Sequence, residues 1–117
     1  MSYDLGFWNY KNGVYKDNQE TYMQLSNKEY VAGIADLPID EILEHIADEF
    51  KDWERCGQYD FESDDRGAFQ VMVTKQFVRI DCYGMSKFVM NKFIDILSDY
   101  DCPLYDPQVP QRFDKDE

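Results

Sequence analysis

Basic residues are scarce in this chain: twelve Lys and Arg stand against twenty-four Asp and Glu over 117 residues, a formal charge of −12. No Lys/Arg cluster is present, so the phosphate-tracking surface that direct nucleic-acid binding needs is lacking, and anionic membrane is repelled. Histidine occurs once, at His45, and Cys56, Cys82 and Cys102 form no Cys-x-x-Cys pair, so zinc lacks its usual ligand spacing. An odd cysteine count at irregular positions fits reduced thiols packed as small hydrophobes, not a disulfide framework. The six glycines never gather into a P-loop or a G-x-G-x-x-G turn. No apolar run approaches the roughly 20 residues a bilayer span requires, and Met1-Ser2-Tyr3-Asp4 has no basic region leading into an apolar one. The expected location is the cytoplasm.

What is abundant is aromatic: 16% Phe, Trp and Tyr within 44% hydrophobic residues, a composition that argues against disorder despite the charge. A chain of this length typically buries roughly two-thirds of its unfolded surface in one core. The organisation expected is one α+β domain over 1–105, with 12–37 as an insertion and 106–117 as an irregular acidic tail broken by Pro107 and Pro110.

Tyr3, Leu5 and Phe7 alternate with Asp4, Gly6, Trp8 and Tyr10, the period of a half-buried strand. Asn12-Gly13 marks a turn, and Tyr22 and Leu25 suit a short helix inside the insertion. Ile39, Ile42, Leu43, Ile46, Ala47, Phe50 and Trp53 recur at three and four, predicting a helix over about 39–53 that Pro38, Asp40 and Glu41 favour at its start. Gly57 is a stop signal, and 60–67 reads as a polar loop. Alternation on both sides of Thr74-Lys75-Gln76 predicts a β-hairpin between Ala68 and Tyr83. Ser86 can cap a second helix running to about residue 100, with Val89, Phe93, Ile96, Leu97 and Tyr100 inward. Leu104-Tyr105 then suits a short edge strand. Strand, helix, strand, strand, helix, strand is the order of a ferredoxin-like split βαβ fold, an antiparallel sheet with two helices on one face. The other face is expected to be open, carrying Trp8, Tyr10, Arg79, Asp81 and Tyr83.

Catalytic groups do not assemble. His45 sits near the polar edge of its helix and reads as a solvated side chain, and a reactive thiolate needs an electropositive setting that an acidic chain disfavours. The acidic loop Glu62-Ser63-Asp64-Asp65-Arg66-Gly67 lacks the alternate ligands and terminal Glu of an EF-hand. The expectation is therefore a non-enzyme with no metal and no cofactor. Two surfaces suit a partner instead. One is the open sheet face, with Trp8, Tyr10, Asp81 and Tyr83. The other is the second helix, where Phe88 falls about 140° from the inner stripe, near Asp95 and Asp99, either exposed or packed beneath the insertion.

Three short patterns carry a resemblance: Ser2-Tyr3-Asp4-Leu5 with Phe7-Trp8; Asp81-Cys82-Tyr83-Gly84-Met85; and Cys102-Pro103-Leu104-Tyr105-Asp106-Pro107 with Arg112-Phe113-Asp114. Together they resemble immunity proteins of bacterial contact-dependent growth-inhibition and related polymorphic toxin systems. That resemblance implies a cytoplasmic inhibitor, monomeric or weakly dimeric when free, that binds the C-terminal domain of a cognate toxin, many such toxins being basic nucleases. It assigns no binding residues by position. The alternative expectation is a small-molecule-binding regulatory module on the same fold.

Overall fold

The computed structural model describes residues 2–14 and 16–113. Its elements run β1 (Tyr3–Phe7), α1 (Asn18–Ser26), α2 (Ile39–Glu49), β2 (Glu54–Arg55), β3 (Asp60–Ser63), β4 (Gly67–Thr74), β5 (Phe77–Tyr83), α3 (Lys87–Ser98), β6 (Leu104–Asp106) and β7 (Gln111–Phe113). All seven strands join one antiparallel sheet in the order β2-β3-β4-β5-β1-β6-β7. The chain is thus α+β, with an antiparallel sheet as expected and one more helix than the strand-helix pattern required.

Helices α2 and α3 pack on the face that carries Leu5, Phe7, Phe69, Val71, Val78 and Ile80, burying Ile42, Ile46, Phe50, Phe93 and Leu97 against them. Rings dominate this layer. Phe50 stacks on Phe93 at 4.8 Å, Phe61 on Phe69 at 4.8 Å, and Phe69 meets Phe93 edge-on at 4.8 Å. Such pairs add about 0.5–1.5 kcal/mol each beyond the area they bury.

Helix ends follow local chemistry. Asp17 caps α1 by accepting from the Glu20 N–H at 2.8 Å, and Ser86 caps α3 through the Val89 N–H at 3.2 Å. The first long helix stops at Glu49, short of the expected 53. Phe50 and Trp53 still reach the core, but from the turn that follows.

The second face is where the structure departs most from the sequence reading. Instead of lying open, it is half covered: α1 and residues 31–34 press Tyr22, Leu25, Val31 and Ile34 onto Trp8, Phe77 and Tyr105, forming a second core. Gly6 permits this approach, because a Cβ there would lie 3.0 Å from the Tyr22 ring. Gln76 holds the segment down. Buried in the β4–β5 turn, its side chain accepts from the Val31 N–H at 3.0 Å and donates to the Val31 and Ile34 carbonyls at 2.8 and 3.1 Å. The stretch read as an insertion therefore closes one half of the sheet.

Two further differences lie at the edges. Residues 60–63, read as loop, form β3, and β2 pairs outside it. Within 106–117, read as irregular, Gln111–Phe113 form β7, so Leu104–Asp106 is an inner strand and not an edge. Residues 114–117 of that tail lie outside the described residues. Gly67 sets the β3–β4 corner: its φ of +108° suits glycine, and a Cβ would fall 2.5 Å from the Tyr83 carbonyl oxygen.

Candidate functional site

Strand register decides what the uncovered half of the second face displays. Asp4 stands opposite Asp81, Asp81 opposite Gln70 and Gln70 opposite Asp60; in the next row Tyr83 faces Ala68, Ala68 faces Glu62 and Glu62 faces Glu54. Residues directly opposite one another share a face, so Asp4, Glu54, Asp60, Glu62 and Asp81 form one carboxylate field across five strands. Tyr83 sits within it, 39% exposed.

Arg79 is the cation of this field, and it is already engaged. Its Nε and Nη2 donate to the two Asp81 carboxylate oxygens at 3.0 and 3.2 Å. Burial pushes the Asp81 carboxyl up; Arg79 pulls it down, and Asp4 across the strand pair pushes it up again, leaving it above the ordinary carboxylate range. The Tyr22 phenol, at the border of the α1-covered half, is raised by burial and then by Asp4. Gln108 locks Asp4 in register, accepting from its N–H at 2.7 Å and donating to its carbonyl at 3.0 Å, a side-chain substitute for a ladder strand.

A second acidic surface lies on the other side of the molecule. Between α2 and α3 runs a groove of about 380 Å³ lined by His45, Asp48, Glu49, Lys92, Asp95, Ile96 and Asp99. One turn beyond Lys92, Phe88 is 78% exposed, away from the insertion that covers the opposite face.

The seven residues singled out from the sequence thus separate into three places. Asp81 and Tyr83 lie together on the open half of the sheet. Phe88, Asp95 and Asp99 share the outward side of α3. Trp8 and Tyr10 are not on open surface: Trp8 is fully buried beneath α1, and Tyr10 is half-buried, edge-on to Trp8 at 6.0 Å. The correction has a physical cause, since Trp8 alternates to the expected face but that end of the face is closed by α1 and by the Arg112 guanidinium 5.2 Å from the Trp8 ring and 4.7 Å from Tyr10. Glu54, Asp60 and Glu62 were missed. The signal was the alternation Tyr59-Asp60-Phe61-Glu62, hidden by the polarity of the stretch around it.

Cys82 and Cys102 are buried, and burial pushes both thiols up to about 12, away from the reactive thiolate. His45 is exposed, its Nδ1 2.9 Å from the Tyr100 hydroxyl, which burial and Glu41 raise to about 12. Glu54, Cys56 and Glu62 bring possible metal-ligating atoms within 4.8 Å of one another. Desolvation and the flanking carboxylates of Glu62 and Glu54 push that thiol up as well, keeping it protonated at neutral pH. Between sheet and helices, where a regulatory module would hold a small molecule, the stacked Phe50, Phe61, Phe69 and Phe93 rings occupy the layer.

An antiparallel sheet with helices on both faces and one acidic half left uncovered defines the class of this protein as far as geometry takes it. No helix among the described residues is long and apolar enough to cross a membrane. No protein-family model matches the chain, and no curated protein or solved structure matches it either.

Proposed function

We propose that this chain is an immunity protein that binds and neutralises a basic toxin domain, a nuclease by the resemblance in its sequence, in the cytoplasm, docking it on the uncovered half of the sheet. One observation carries the reading: Asp4, Glu54, Asp60, Glu62 and Asp81 share that half-face with a single guanidinium, which Asp81 already holds. A flat sheet surface presents these charges at fixed spacing, and Tyr83 supplies an apolar contact with a polar tip, the residue type favoured at interface centres. The finer fold assignment is a ferredoxin-like split βαβ core formed by β1, α2, β4, β5, α3 and β6. It is supported by the spatial order β4-β5-β1-β6 and by the packing of α2 and α3 on one face; α1, β2, β3 and β7 are additions to it.

Opposite potentials steer association toward roughly 10⁸–10⁹ M⁻¹s⁻¹ at low salt, and speed serves an inhibitor whose target damages the cell while free. The test is stopped-flow association with the toxin domain encoded beside this chain. A complex is expected whose association rate falls at least about tenfold between 10 and 200 mM salt. The double variant Glu62→Gln/Asp81→Asn is expected to slow association and flatten the salt dependence. Absence of a complex would refute the function; a complex whose on-rate ignores both salt and the substitutions would remove the sheet face as its site.

A further inference from the structure

The α2–α3 groove is not used by the sheet-face reading, and the two surfaces lie on opposite sides of the sheet, so one rigid domain seated on the first cannot also fill the second. Along α3, Phe88, Lys92 and Ile96 lie four apart and form one ridge. Ile96 lines the groove, buried at its floor, while Phe88, two turns earlier on the same row of α3, is 78% exposed outside the groove's lining. Acidic rims flank this ridge: Asp95 and Asp99 on α3, Asp48 and Glu49 across the groove on α2. The Lys92 ammonium is engaged by Glu49 at 3.4 Å, and Lys87 turns away to line a different groove with Tyr3 and Met90. The rims therefore keep a surplus of negative charge on the same outward side of the helix pair as Phe88, an exposed large apolar side chain.

We infer that this groove is a second docking surface whose occupant is a lysine- or arginine-rich amphipathic helix of a protein partner. Two helices lying side by side offer a seat for a third at the usual spacing of about 8–10 Å. The occupant's apolar stripe rests on Phe88, and cations on its flanks reach the two acidic rims, the helix-in-groove mode of recognition. From Phe88 to Asp99 the ridge runs about 16 Å, so about three turns of partner helix fill it. An extended basic segment fits less well, because its side chains alternate and cannot present one apolar stripe between two charged edges.

The test uses the full chain and a designed probe, an amidated peptide of about twelve residues with leucine and lysine at helical spacing, beside a scrambled peptide of identical composition. Amide chemical shifts are expected to move at residues 45–49 and 88–99. Phe88→Ala and Asp95→Asn/Asp99→Asn are each expected to weaken binding by about tenfold, and the scrambled peptide to bind at least about tenfold less tightly. Asp64→Asn/Asp65→Asn, which removes the same charge from an exposed turn, is expected to leave binding within about twofold. Equal binding of both peptides, no effect of Phe88→Ala, equal loss in the two Asn pairs, or shifts confined to other acidic surface would each overturn the inference, leaving attraction by net charge alone.

Discussion

Asp4 and Asp81 show how a single pair can be kept against stability. Like charges directly opposite in an antiparallel pair are destabilising, and here they face one another across β1 and β5. Because the Asp81 carboxyl is raised, its contribution to stability is full below the unfolded carboxylate pKa of about 3.9 and is lost as pH rises through the folded value. Its charge at neutral pH is therefore a net cost that Arg79 only partly offsets. Asp4→Asn removes one of the causes, and urea denaturation at pH 7 is expected to show a gain of about 0.5 kcal/mol. At about pH 2, with the raised Asp81 carboxyl protonated, that gain should disappear. A variant no more stable at pH 7, or equally stabilised at both, would contradict the repulsion. Under the proposed function, the same substitution is expected to slow association with the toxin domain. Residue-level facts of this kind were partly legible: alternation put Asp81 and Tyr83 on one face, and it separated Phe88 from the inner stripe of α3.

At the scale of elements, the closing of the second face hangs on few bonds. Gln76 satisfies three backbone groups of the 31–34 segment, and each one left buried and unpaired costs about 1–3 kcal/mol. Gln76→Leu keeps the bulk and removes the bonds. Its expected cost is about 3 kcal/mol in chemical denaturation, with faster amide exchange at Val31 and increased fluorescence quenching of Trp8 as α1 loosens. A loss under 1 kcal/mol with Val31 still protected would mean that the apolar contacts of Leu25 and Ile34 suffice. α2, α3 and the β4–β5 hairpin were readable because their apolar periods are long and strict. α1 was only half readable: nine residues with a weak amphipathic pattern mark a helix through Tyr22 and Leu25 but not the surface it meets. β2, β3 and β7 are two to four residues long, too short for alternation to stand out, and they form because a neighbouring strand offers a ladder.

Over the whole molecule, acids outnumber bases two to one on a body measuring 43 × 28 × 26 Å. At 0.01 M salt the screening length of about 30 Å spans most of that body, and at 0.1 M it shrinks to about 10 Å. At the low-salt end, self-repulsion among the surplus carboxylates is set against only a few ion pairs, such as Arg66–Asp52 at 3.1 Å, that screening also weakens. Thermal stability is expected to rise with sodium chloride over this range, as calorimetry at constant pH would show. A fall would mean that favourable pairs dominate. Under the two proposals, the same charge draws cationic partners, a basic domain to the sheet half and a basic helix to the α2–α3 groove.

Composition and period by themselves determined the net charge and the faces to which the residues of β1, β4 and β5 point, because each is a property of single residues or of near neighbours in the chain. Only the tertiary structure decided that α1 would bury Trp8, that β2 and β3 would add Glu54, Asp60 and Glu62 to the field around Asp81, and that α2 and α3 would form an acidic groove between them while Phe88 stays exposed. Those outcomes depend on contacts between segments tens of residues apart, where a local pattern says which side is apolar but not what comes to lie against it.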